Sequence, residues 1–249
     1  MISTAVRGLT AFRKLHAGEQ DWRRGDRALT LHMLRGLAPG FYQEQGLSRE
    51  HHEAIQALNL MPIEFPQRLS LDAAMSRVDA IYLRSLEGIP QPSLDREQIQ
   101  DYLNYSFRRH GWLSAWLMSE QLRRAGVVDR AYSPTDASSD DPTLRLYYLA
   151  HRFMVDSDYF ARPLAEADYT EQLGELEGAL EPLIRERQWD LLAEAVICLA
   201  ACARRPEAAW NALRIAQRRD GSWGEKGQDT RQAAHTTAAC LIAMALERT

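Results

Sequence analysis

Apolar residues recur at helical spacing along almost the whole chain, and no other feature restricts the fold as strongly. Trp189, Leu192, Ala193, Val196, Ile197 and Ala200 follow the one-sided template of a 3.6-residue period. Ala234, Thr237, Ala238, Leu241, Ile242 and Ala245 repeat it, and Leu173, Leu176, Leu180 and Leu183 trace a narrower stripe. Strand-like alternation between turn residues never lasts more than a few positions. The expected fold class is therefore all-α.

Breakers divide this pattern into about ten or eleven helices of ordinary length. Pro39-Gly40 should end a helix over 20–37, and Ser48 can cap the next, with Glu50 and Glu53 in its first turns. Pro62 and Pro66 make NLMPIEFPQR a connector, because proline removes a backbone donor and disfavours helix just before it. Leu71–Leu86 reads as helix, and two more helices within 97–125 separate near His110-Gly111. Residues 134–142, carrying TDASSDDP, are the most polar stretch and the expected mobile loop, leading into a helix over 143–155. Residues 169–249 read as four consecutive helices with short turns, the pattern of stacked antiparallel pairs.

With 249 residues and 45% apolar content, the chain can bury a large core, and a single domain over 1–249 is the expectation. Thirty basic residues against 34 acidic ones give a net charge of −4, without a block of like charges, which argues against a nucleic-acid partner. Even the most apolar window, LLAEAVICLAACA, contains Glu194 and ends at Arg204-Arg205, so no membrane span is expected. The N-terminal stretch, interrupted by Arg7, Arg13 and Lys14, reads as a first helix rather than a secretion signal. A soluble, cytoplasmic protein follows as the expectation. Cys198 and Cys202, four apart on an apolar helix, read as core thiols.

The segment AQRRDGSWGEKG, residues 216–227, ends one helix and precedes another. Leu213, Gln217, Gly221 and Trp223 spell L-x3-Q-x3-G-x-W. Glycine permits the left-handed backbone that closes a helix, Trp223 can fold back over the helix end, and Gln217 can hydrogen-bond the neighbouring backbone. The motif resembles the QW motif of the α/α-toroid enzymes, the squalene–hopene and terpenoid cyclases. That resemblance implies a toroid-like array of antiparallel paired helices and a structural role for Trp223. It covers about residues 206–246. The DxDD acid of the triterpene cyclases is absent, since Asp156-Ser-Asp158-Tyr lacks the third acid, so terpene cyclisation is not implied.

Three further pieces, PIEFPQRLSLDAAMSRVD (62–79), YYLAHRFMVDSDYF (147–160) and AHTTAACLIAMAL (234–246), resemble an uncharacterised actinobacterial family of helical proteins encoded beside natural-product genes. Arg68, His151, Asp158 and His235 occupy the matching positions. Ala150 stands in place of threonine and Phe160 in place of glycine.

His151, Asp158 and His235 are the candidate catalytic residues and the candidate ligands of one divalent metal, iron or zinc, because two imidazoles and a carboxylate leave positions open for substrate. They could equally serve as acid, base and orienting group. Seven residues of unbroken helix would set His151 and Asp158 about 10 Å apart along the axis, so convergence needs the helix to end near 155–157, where Asp and Ser can cap. The alternative makes His151 a core histidine bonded to a carbonyl, and Asp158 and His235 helix caps. Arg68, Trp112, Trp116, Tyr147, Tyr148 and Tyr159 are the candidate cavity wall, the aromatic ones fitting equally well as core. His51-His52 reads as an exposed polar face, neighbours on a helix pointing about 100° apart. Phosphate loops, GxGxxG after a strand, HExxH, GxSxG and CxxC are all missing.

Two function classes lead, with a purely structural subunit as a third. One is a tailoring enzyme of secondary metabolism that takes a small molecule or peptide into a helical cavity with or without a metal. The other is a non-catalytic helical-repeat module that binds a peptide or partner protein. The sequence leaves the oligomeric state open.

Overall fold

The computed structural model describes residues 3–18, 20–66, 68–133, 141–225 and 227–247. Twelve α-helices and no strand occur among them: α1 Thr4–Leu15, α2 Asp21–Leu37, α3 Pro39–Glu44, α4 Leu47–Leu58, α5 Leu71–Leu86, α6 Arg96–His110, α7 Trp112–Arg124, α8 Pro142–Asp156, α9 Thr170–Glu186, α10 Trp189–Ala201, α11 Glu207–Ala216 and α12 Thr230–Leu246. No described helix is long and apolar enough to cross a membrane. Most of the expected loop at 134–142 lies outside the described residues; its end, Asp141, accepts from the Thr143 amide at 2.9 Å and so caps α8.

Two boundaries differ from expectation for local reasons. Pro39 does not only end α2 but opens α3, taking the first helical position, where its missing N–H would be unbonded in any case. Ser48 lies inside α4, which begins at Leu47.

The chain divides into two compact units. The first comprises 1–18, 30–48 and 156–249. Its centre is α10 and α12, buried on nearly every face: Asp190 through Leu199 and, apart from His235, Ala234 through Leu246. Helices α9 and α11 instead bury one stripe each, Leu173, Leu176 and Leu183 on α9 and Ala209, Trp210 and Leu213 on α11. Both pack on α10, α11 also on α12, and α1 covers a further side of α12.

The corner between α11 and α12 is stapled as L-x3-Q-x3-G-x-W leads one to expect. Trp223 is fully buried; its indole N–H donates to Leu213 O at 2.7 Å and its amide to Thr237 Oγ1 at 3.1 Å. Gln217 Nε2 donates to Gly221 O at 3.0 Å and to Thr4 O at 2.9 Å, so the same residue fastens α1. Gly221 has φ +89°, and a Cβ there would collide with the Arg7 carbonyl. Gly8 lets α1 sit against the Trp223 ring: a Cβ would come within 2.8 Å of it.

The second unit comprises 19–29 and 49–155. Phe65, Val78, Ile81, Ile99, Tyr102 and Met118 are among its core residues, with α5 and α6 both packed on α7. Tyr102 donates its hydroxyl to Leu69 O at 3.2 Å. Burial, reinforced by Tyr105 and opposed by Arg77, pushes its phenol up to about 12. A raised folded-state value means stabilisation that is complete below the unfolded value near 10 and is lost as pH rises towards 12. Tyr102→Phe should therefore flatten the alkaline loss of stability between about pH 10 and 12 in urea titrations; an unchanged slope would refute the assignment.

Candidate functional site

Two acids interrupt the most apolar helix of the chain. Asp190 lies in the first turn of α10, where the helix dipole favours a carboxylate, and Glu194 follows one turn later on the same face. Their burial is unusual for charged side chains: Glu194 is 3% and Asp190 9% exposed. Facing them is His235 on α12. That helix is capped by Asp229, whose Oδ1 accepts from the amides of Arg231 at 2.9 Å and Gln232 at 3.0 Å. His235 is thus not a cap but sits more than a turn inside the helix.

His235 Nε2 lies 3.7 Å from Asp190 Oδ1 and 3.9 Å from Glu194 Oε1. One potential ligand atom from each residue lies within 4.8 Å of the other two. The imidazole is half exposed, so the group is open on the His235 side and closed behind the carboxylates. Cys198 and Cys240 stand in the wall behind. Burial pushes both thiols well up, helped by Glu194 at Cys198 and by Asp190 at Cys240. The Cys240 thiol points to Trp189 O at 3.7 Å. Both sulfurs thus stay protonated and serve as packing, as expected for Cys198; Cys202 is the C-cap of α10 and only half-buried.

A cleft of about 460 Å³ lies in the same unit. Ile184 and Arg187 from the end of α9, Trp189 next to Asp190, Ile215 on α11, and Gly224 and Glu225 on the way to α12 line it. Arg187 holds a left-handed φ of 58°, and Ile215 is 85% exposed.

His151, in the second unit, is half-buried, with Nδ1 2.8 Å from Tyr147 O one turn earlier on α8. Helix α8 does end at Asp156, and Asp158, Tyr159 and Phe160 then take left-handed φ values of 51°, 51° and 67°. Phe160 thus holds a conformation that glycine adopts most easily, and the residue is buried. Within the first unit the Asp158 carboxylate pairs with Arg162 Nε at 2.5 Å, and its carbonyl meets His32 Nε2 at 3.3 Å. Neither His151 nor Asp158 belongs to a three-residue ligand group among the described residues; His235 does, with Asp190 and Glu194.

The candidate cavity residues are placed as follows. Tyr148 packs edge-on against Trp112 and Trp116 with centroids 5.5 and 4.7 Å apart, inside the second unit. Tyr147 lies 6.1 Å from the His151 ring. Tyr159 is buried in the first unit, and Arg68 is exposed in the connector before α5. His51 is 3% exposed while His52 is exposed, so only one of the pair fits the polar face expected for both.

The sequence reading missed Asp190 and Glu194. The available signal was two acids four residues apart on an otherwise apolar helix.

A family model matches residues 103–241 and is described as a domain of unknown function (DUF6895). That span includes Asp190, Glu194 and His235. No curated protein and no solved structure matches the chain.

Proposed function

We propose that this chain, which belongs to the family described as a domain of unknown function (DUF6895), is a tailoring enzyme of secondary metabolism acting on a small molecule or peptide, with Asp190, Glu194 and His235 as its reacting cluster. The observation that carries the proposal is two carboxylates buried in the helical core and aimed at a half-exposed imidazole. His235 is the member that substrate can reach. Asp190 and Glu194 lie against the ring, and the cluster would act on a substrate held beside it. The cleft in the same unit offers an apolar wall of Ile184, Trp189 and Ile215 with one cation and one anion at Arg187 and Glu225.

A toroid-like arrangement of α9–α12 belongs to the same proposal. Two helices buried all round, each paired with a one-sided helix, and a tryptophan-glutamine staple at the corner support it. In such an arrangement the N-terminal halves of the inner helices carry the reacting groups.

The test is untargeted mass spectrometry of cell extracts incubated with the purified protein. Protein-dependent consumption of a metabolite should appear and fall at least about 100-fold in His235→Gln, with helicity retained by circular dichroism. Turnover that survives His235→Gln would remove the cluster from the chemistry. The second reading, a peptide-binding module, draws on Ile215, a large apolar side chain 85% exposed at the cleft. It is favoured if extracts show no turnover while Ile215→Asp abolishes retention of a peptide from a random peptide library.

A further inference from the structure

The geometry points to a divalent first-row cation, of the manganese-to-zinc class, bound by Asp190, Glu194 and His235; this inference rests on the same cluster proposed above as the reacting centre. Metal–oxygen and metal–nitrogen bonds of about 2.0–2.2 Å set two ligands of one ion roughly 2.8–4.2 Å apart, for angles between about 85° and 160°. The two N···O separations, 3.7 and 3.9 Å, fall in that range. They are too long for hydrogen bonds. The three ligand atoms need to contract only slightly from their 4.8 Å envelope to meet one ion.

Electrostatics argue in the same direction. Asp190 and Glu194 bring two carboxylates together with exposures of 9% and 3%. Like charges in a poorly solvated site repel. A dication between the three groups supplies two charges where both carboxylates can use them.

The donor set also selects among ions. Two carboxylate oxygens and one imidazole nitrogen suit manganese, iron, cobalt or zinc. An all-oxygen set would favour magnesium or calcium, and thiolates would favour copper(I). The Cys240 sulfur, which could have softened the set, is directed to Trp189 O instead. Three protein ligands on one side, with the third side chain 48% exposed, leave coordination positions facing solvent. That is the layout of an open rather than a closed metal site.

The closing experiment uses the full chain, stripped with a chelator and titrated separately with Zn²⁺, Mn²⁺ and Mg²⁺ by calorimetry. One equivalent of Zn²⁺ or Mn²⁺ should bind, at least ten times more tightly than Mg²⁺. Glu194→Gln and His235→Ala should each weaken binding by 10–100-fold or more, while Asp158→Asn leaves it unchanged. Helicity of each variant is checked by circular dichroism. In addition, Co²⁺ added to the unaltered chain should give a visible d–d spectrum that disappears with His235→Ala, a readout that does not depend on stability. Absence of a stoichiometric ion, or binding indifferent to both substitutions, overturns the inference. Failure here is distinct from failure of the enzymatic reading: turnover by a protein that takes up no stoichiometric ion defeats the metal alone, and metal binding without turnover defeats the enzyme alone.

Discussion

Trp223→Ala lowers the stability of the first unit by about 3–5 kcal/mol, the range found for truncating large buried aromatics. The effect exceeds that of an ordinary core residue because Trp223 joins several elements at once. Its indole N–H satisfies the last turn of α11 through Leu213 O, its amide meets Thr237 on α12, and its ring supports α1 at Gly8. Removal leaves a cavity and an unbonded helix-end carbonyl together. Urea denaturation followed by far-ultraviolet circular dichroism measures the change. A loss below about 1 kcal/mol would mean that the corner tolerates its absence and that the staple is incidental.

Glu194→Met stabilises the chelator-stripped protein by about 1–3 kcal/mol, an uncommon direction for a substitution at a position only 3% exposed. Methionine has a similar volume and adapts to irregular cavities. It removes one of two neighbouring buried negative charges and leaves Asp190 with His235. A residue that costs stability and is nonetheless present marks a functional site rather than a structural one. Thermal unfolding of the stripped variant beside the stripped parent gives the comparison. Destabilisation by several kcal/mol would instead identify Glu194 as a member of a structural hydrogen-bond network.

The sequence made some parts of this molecule legible and hid others. Helix α5 was readable to the residue because Gly88 and prolines follow it; the cap at its start, where Ser70 Oγ accepts from the Ala73 amide at 3.3 Å, was not singled out. The stripe on α9 was readable because only one side of that helix is buried. Periodicity says less about α10 and α12, since a helix buried all round has no solvent face to orient it. Which partner Asp190 and Glu194 would meet therefore depended on tertiary packing, and His235 drew attention through its place in a His-Thr-Thr segment. The bend after α8 was legible from Asp156-Ser-Asp, but not what it would accomplish. It directs Asp158 to Arg162 four residues along, a local partner that spacing from His151 could not reveal.

The fastening of α1 constrains how the molecule comes into being. Thr4 must wait for a glutamine 213 positions downstream. Until Gln217, Trp223 and α12 emerge, the apolar side of α1 lacks its final shelter. Synthesis therefore exposes a sticky amphipathic segment while the 213 positions to its partner are made, making the nascent chain a client for holding chaperones and a risk for co-translational aggregation.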